Sequence, residues 1–377
     1  MEPGCTESAS GLPLVSPQPL SPAAASSALL ARLVDVGAQH SRATRAAFAR
    51  LNARLSTSPR PAVGGRAVET DAGGERLPED SVTAPTAGET YLRGDDGARL
   101  AVSCLTPLKG PAAVGPPVVL AHGWGGSRRV WGSVADGLIR SGHTVLSYDL
   151  RGHGASTVGD DGITAEAMRA DLATVLRYAG GAAVVAGHSG GGFAALAQAV
   201  ADDPGACPVG LVLVATAAHG QETSEKEARM MGAPLFSRTL RRGGPGRLLL
   251  RQMTGKALHP RLREVNRELF AAIRPEVRAE CFRSSRGMDL REALAAVRVP
   301  VEVLAGGADK IIAPRLGRET ADAFPRARFT SLPGAGHLLP LEHPRPVSRA
   351  IEEVTRQAGG RLAGRLPPDT GEALEPR

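Results

Sequence analysis

Residues Gly187-His188-Ser189-Gly190-Gly191 constrain this chain more than any other segment. They follow the apolar run Ala182–Ala186 and precede a helical pattern over Gly191–Ala201. A strand must therefore end, turn sharply and pass straight into a helix. Gly-x-Ser-x-Gly in that setting is a nucleophile elbow. The turn forces strained backbone angles on Ser189, and small residues at Gly187 and Gly191 let neighbouring backbone come close. The hydroxyl is then lifted clear of the sheet edge at a helix N-terminus. On its own the pattern also describes a glycine-rich turn with a capping serine, so the rest of the chain has to supply a base, an acid and oxyanion donors.

The surrounding pattern is regular from residue 88 onward. Glu89–Arg93 and Arg99–Cys104 read as a hairpin around Asp95-Asp96-Gly97. Short apolar runs follow at Pro117–Ala121, Thr144–Tyr148, Ala182–Ala186, Gly210–Val214, Val301–Leu304 and Ala327–Leu332. Helical patterns such as Val130–Arg140 and Ala165–Ala179 alternate with them, which predicts a mostly parallel sheet flanked by helices. Between Val214 and Val301 the alternation stops for roughly 80 residues of helical pattern, too long for a structureless loop. This reads as a helical insertion over the sheet.

Acyl transfer builds an oxyanion, which needs backbone N–H donors at fixed positions. His122-Gly123-Trp124-Gly125-Gly126-Ser127 follows the strand Pro117–Ala121 and offers one donor, the N–H of Trp124. The residue after the nucleophile, Gly190, offers the other. Serine also needs a base, which should follow the last strand. Pro333-Gly334-Ala335-Gly336-His337 presents His337 on a glycine-rich loop, while the rival His343 sits in Leu341-Glu342-His343-Pro344 at a helix start. The orienting acid should follow the penultimate strand, where Gly306-Gly307-Ala308-Asp309 offers Asp309. The order Ser189, Asp309, His337 is the order this chemistry takes in an α/β sheet.

With these motifs in this order the chain resembles the α/β-hydrolase superfamily, in its branch of esterases, lipases, non-haem haloperoxidase-like and carbon–carbon-bond hydrolases. Tyr148-Asp149-Leu150-Arg151-Gly152-His153-Gly154-Ala155-Ser156 is similar to a segment common there, with Asp149 and Arg151 expected to brace the loop. The resemblance covers residues 88–358 and implies the α/β-hydrolase fold with a helical lid. It also implies a serine hydrolase that cleaves a hydrophobic carboxylic ester through an acyl-enzyme on Ser189, with no cofactor and no metal. Acyl transfer, perhydrolysis and carbon–carbon cleavage use the same triad and stay open, as does a non-hydrolytic binding protein on this fold. Relatives with an aspartate nucleophile open epoxides or displace halides, and Ser189 argues against both. The triple glycine 190–192 either loosens the elbow or lets acyl groups approach closely.

The expected division is an N-terminal extension 1–87, core 88–220, lid 221–298, core 299–358 and a flexible tail 359–377. Residues 1–27 and 57–86 read as disordered and 28–55 as one amphipathic helix. Within the lid, Met230, Met231 and Phe236 are the candidate substrate-binding residues. The net charge of +7 comes from the lid segment, where Gln221 to Arg298 holds 17 Lys and Arg against 9 Asp and Glu. Arg241, Arg242, Arg247 and Arg251 are placed to attract an acidic group or to form a solvated face. Nucleic acid is not an expected partner, since the chain is 3% aromatic and carries no nucleic-acid motif. The four cysteines lack metal or disulfide spacing. No apolar stretch reaches the roughly 18 residues of a membrane span. Without a basic and apolar N-terminal signal, the expected location is cytoplasmic and the expected partner a small-molecule or lipid-like ester.

Overall fold

The computed structural model describes residues 89–107, 114–220, 223–255 and 258–363. The N-terminal extension with its helix at 28–55, and the tail beyond 363, lie outside the described residues.

The hairpin strands are β1 (Glu89–Arg93) and β2 (Arg99–Leu105), closed by Gly97 at φ 79°. Next come β3 (Val118–Ala121), α1 (Gly132–Arg140), β4 (Val145–Tyr148), α2 (Ala165–Tyr178), β5 (Ala182–His188), α3 (Gly190–Ala199) and β6 (Cys207–Val214). Six helices precede the next strand: α4 (Glu225–Gly232), α5 (Pro234–Leu240), α6 (Gly243–Leu249), α7 (Pro260–Ala272), α8 (Pro275–Ser284) and α9 (Arg291–Leu294). A 3-10 turn at Arg251–Met253 divides α6 from α7. The chain then forms β7 (Val301–Gly306), α10 (Pro314–Asp322), β8 (Ala327–Leu332), α11 (Leu339–Glu342) and α12 (Pro344–Ala363). Thus α12 continues past residue 358, where the sequence pattern places the tail.

The eight strands form one sheet in the order β1-β2-β4-β3-β5-β6-β7-β8. Pairing is antiparallel for β1 with β2 and β2 with β4, and parallel everywhere else. Burial explains the sequence pattern. Every residue of β3, β4 and β7 is buried, because helices cover both faces of a parallel sheet. The edge strand β1 instead alternates exposed and half-buried positions. On one face Leu172, Leu176, Phe193 and Leu196 of α2 and α3 pack against the strands. On the other, Val134 and Leu138 of α1 meet Val347, Ile351 and Val354 of α12. Truncating one such side chain, as in Leu172→Ala, costs about 2–5 kcal/mol. Helix α2 starts where the Thr164 hydroxyl accepts the Ala167 N–H at 3.0 Å, and the chain leaves it at Gly180-Gly181, both with positive φ.

This topology puts the motifs together. Winding reverses between β3 and β5, whose last residues pair as Ala121 with Gly187. A crevice opens at such a switch point, at the C-terminal ends of the strands. His122 follows β3, Ser189 follows β5, Asp309 follows β7 and His337 follows β8, all on that edge. Among the described residues no helix is long and apolar enough to cross a membrane.

Candidate active site

Ser189 sits between β5 and α3 at φ 48° and ψ −117°, a conformation that an L-residue rarely adopts. Close neighbours hold it there. The Ser189 N–H donates to the Val214 carbonyl at 3.0 Å, and the Thr216 hydroxyl donates to the Ser189 carbonyl at 2.9 Å. Ala215, at φ 46°, makes the bend that brings Thr216 there. A Cβ at Gly187 would lie 2.7 Å from the Gly191 carbonyl oxygen, and one at Gly191 would lie 2.4 Å from that of Ala121. The rest of the triple glycine is also filled: the Trp124 indole lies over Gly190 and the Thr216 side chain against Gly192. The glycines permit tight packing here; they do not loosen the elbow.

His337 and Asp309 meet as the sequence order predicts. His337 Nδ1 lies 2.8 Å from Asp309 Oδ2, with both residues buried. A carboxylate only accepts, so Nδ1 carries a proton and donates it to Asp309. Asp309 Oδ1 accepts the N–H groups of Ile311 at 2.7 Å and Ile312 at 3.0 Å, which fixes the carboxylate. His343 caps α11, its N–H on the Leu339 carbonyl, and is not brought to Asp309.

Three residues outside the sequence-assigned site, His188, Glu342 and Met253, hold this arrangement. His188 Nε2 donates to the His337 carbonyl at 2.9 Å, and the two rings are 5.1 Å apart. Burial pushes the His188 imidazole down to about 3, with the His337 ring adding to the shift, so it is neutral. Its place before the nucleophile was the available signal. Glu342 accepts three backbone N–H groups, from Gly336 at 2.8 Å, Gly255 at 3.0 Å and Leu338 at 3.1 Å. The insertion reaches the same loop, because the His337 N–H donates to the Met253 carbonyl at 3.0 Å. Met253 and Asn266 also line a cavity of about 10 Å³ beside His337, with Trp124, Val130, His188, Leu338 and Leu341. That is the space of roughly one water-sized sphere.

The loop carrying Trp124 is fixed by two buried histidines. Leu150 N–H donates to His122 Nε2 at 3.0 Å, and Gly125 N–H donates to His153 Nε2 at 3.2 Å. In each ring Nδ1 therefore carries the proton, donated to the Gly123 carbonyl at 2.7 Å and to the Arg151 carbonyl at 3.0 Å. Burial lowers both imidazoles, His122 well below the usual range. The 3.9 Å approach of His122 Nε2 to Asp149 is thus no ion pair. Asp149 and Arg151 brace the neighbouring loop: Asp149 accepts from Arg128 and Ala155, and Arg151 bonds Asp171 at 2.7 Å and Asp96 at 2.9 Å. Gly190 is the first residue of α3, whose opening N–H groups have no acceptor within the helix. Among the described residues no cluster of three or more His, Cys, Asp or Glu is placed to hold a metal ion.

The candidate substrate residues fall elsewhere. Met230 is 47% exposed, whereas Phe236 is buried in the insertion's own core with Leu240, Leu250 and Phe270, and Met231 packs against that core. None of the three lines the cavity at His337. The physical reason is that helices of seven or eight residues share their apolar faces with each other first. Arg278 ties them together, donating to the Met231 carbonyl at 2.7 Å and the Ser237 hydroxyl at 2.6 Å under the Phe236 ring. Arg247 pairs with Glu264 at 2.7 Å.

Residues 118–350 match the model of the alpha/beta hydrolase family. The chain is 42% identical to the sn-1-specific diacylglycerol lipase ABHD11 of Xenopus tropicalis over 91 residues, 24% of this chain but only 28% of that protein. It is 30% identical over 254 residues to the pimeloyl-[acyl-carrier protein] methyl ester esterase of Aromatoleum aromaticum, covering 64% of this chain and 98% of the esterase. Among solved structures, the malate-bound thermophilic esterase from Thermogutta terrifontis superposes with a TM-score of 0.59 at 27% identity, covering 72% of this chain and all of that one.

Proposed function

Because the chain belongs to the alpha/beta hydrolase family and is an enzyme of that class, we propose that it hydrolyses a hydrophobic carboxylic ester through an acyl-enzyme on Ser189. The observation that carries this reading is the buried 2.8 Å contact of His337 Nδ1 with Asp309, because it engages Nδ1 as a donor and leaves Nε2 as the ring nitrogen that can serve as base. Ser189 Oγ attacks the ester carbonyl as its proton passes to Nε2. The N–H groups of Trp124 and Gly190 stabilise the developing oxyanion. The alcohol then departs with the proton from His337, and a water activated by the same nitrogen releases the acid. Asp309 orients the ring through Nδ1 and balances the imidazolium as it forms.

The choice of an apolar ester rests on the cavity, whose walls include Trp124, Val130, Met253, Leu338 and Leu341. The insertion 221–298 is read as the lid, a reading supported by Met253, which lines that cavity. The names of the relatives fit, one being an esterase of a methyl ester and another a lipase. A panel of 4-nitrophenyl esters of increasing chain length tests the reading. The wild type should hydrolyse the panel and take up a fluorophosphonate on Ser189, with Ser189→Ala losing both. Labelling of another serine, or none on folded protein, would overturn it.

A further inference from the structure

A larger cavity than the one at His337 lies on the other side of the loop after β3. It is an open groove of about 980 Å³, and Gly126 lines both. Its walls come from the β1–β2 hairpin, the turn at Ser127–Arg129, the loop 149–160 and the junction of α7 with α8. Five arginines stand in them: Arg93, Arg99, Arg128, Arg129 and Arg274. Two of the wall carboxylates are already matched, Asp96 by Arg151 and Asp149 by Arg128, and Glu89 adds a second partner to Arg128. The third, Asp160, is exposed. Arg93 and Arg274 enter no ion pair among the described residues. The Arg99 guanidinium carbon lies over the Tyr91 ring, 4.5 Å from its centroid. The Nη1 of Arg274 is buried with no hydrogen-bond partner. A charged donor left without an acceptor by the protein is uncommon, and a turn of the half-buried Arg274 side chain is needed to present it to an anion in the groove.

We infer that this groove binds the phosphate group of a phosphate-bearing ligand. Guanidinium groups reach it from separate walls, the hairpin on one side and the α7–α8 junction on the other. A tetrahedral phosphate accepts from several such forks at once, whereas a lone carboxylate is satisfied by one. The ligand has two possible sources with the same chemistry. It is either the remote end of the ester's own carrier, one loop away from Ser189, or a separate phosphate that acts on the enzyme through that loop. The first source rests on the esterase reading; the binding itself does not.

Calorimetric titration of the full chain with inorganic pyrophosphate tests the site directly. The wild type should bind one equivalent, and Kd should rise at least tenfold in Arg274→Gln and in Arg93→Gln. Both should also weaken as salt is added. Arg93 is exposed, so its variant remains informative if Arg274→Gln fails to fold. No binding to wild type, or equal binding by wild type and Arg93→Gln, overturns the inference. Two kinetic arms separate the sources. For a ligand carried on the substrate, the KM ratio of butyryl-coenzyme A to 4-nitrophenyl butyrate should rise at least fivefold in the variants. For a separate effector, pyrophosphate should change the rate on 4-nitrophenyl butyrate with wild type and lose that effect in the variants. Loss of esterase activity in Ser189→Ala with pyrophosphate binding intact separates this site from the reaction centre.

Discussion

Asp309 spends both carboxylate oxygens on fixed donors, so its effect on His337 is one of orientation and charge. Asp309→Asn keeps the shape but presents an amide to Nδ1, which favours the wrong tautomer. We expect kcat on 4-nitrophenyl butyrate to fall by about 10⁴-fold. The melting temperature should stay close to wild type; an active Asp309→Asn would remove Asp309 from the mechanism. Glu342 is a positioning residue that acts through backbone. Glu342→Ala strands the N–H groups of Gly336, Gly255 and Leu338, at about 1–3 kcal/mol for each one that water cannot reach. Its signature should be a loss in kcat larger than any change in KM, partly restored by Glu342→Gln. Equal kcat in all three proteins would show that the loop holds His337 unaided. The elbow at Ser189 and the contact of Asp309 with His337 were legible in the sequence because strand ends and glycine-rich turns limit where such side chains can stand. Glu342 was not, because its partners are N–H groups of a loop 87 residues away as well as its own, and no local pattern reports them.

The insertion is the element whose existence the sequence announced and whose facing it did not. A 3.6-residue period marks an apolar face without saying what covers it. Phe236 and Met231 therefore looked like pocket residues and turn out to pack among the insertion's own helices. The segment that reaches the reaction centre is instead the 3-10 turn Arg251–Met253, which has no periodicity to read. The contact is close: a Cβ on Gly336 would lie 2.2 Å from the Gly255 nitrogen. Opening that turn must move the loop of His337 or break the hydrogen bond from its N–H to Met253. Met253→Ala should widen the site and raise kcat/KM for octanoate relative to acetate by about tenfold. Met230→Ala, at a half-exposed position, should leave that ratio within about twofold. The reverse pattern in the ester panel would return specificity to α4.

At the scale of the molecule, neutral histidines tie the loops around the crevice together beside the Arg128–Asp149 pair. His122 and His153 join the loop after β3 to the loop after β4, and His188 joins the elbow to the loop after β8. Burial lowers all three imidazoles, His188 to about 3. In the unfolded chain each takes a proton near pH 6.5, while in the folded chain each takes it at a lower pH. Acid therefore favours unfolding: the stability of the neutral rings is complete above pH 6.5 and drains away as pH falls, for His188 down to about 3, where the folded state also binds the proton. Each ring approaches a slope of about 1.4 kcal/mol per pH unit, so three together reach at most about 4 kcal/mol per unit. As an upper bound that corresponds to roughly 10 °C in Tm per pH unit for a domain of this size. The lowered carboxylates Glu225 and Glu264 also lose stability in acid, but they face solvent, are screened, and titrate lower. The window from pH 6.5 to 4.5 thus belongs to the histidines. Scanning calorimetry across it should show Tm falling steadily in wild type. The slope should be shallower in His153→Gln, whose side-chain oxygen can still accept the Gly125 N–H but takes up no proton. A flat Tm from pH 6.5 to 5 would mean that these rings are protonated in the folded protein, and that charge, not burial, sets the chemistry around the elbow.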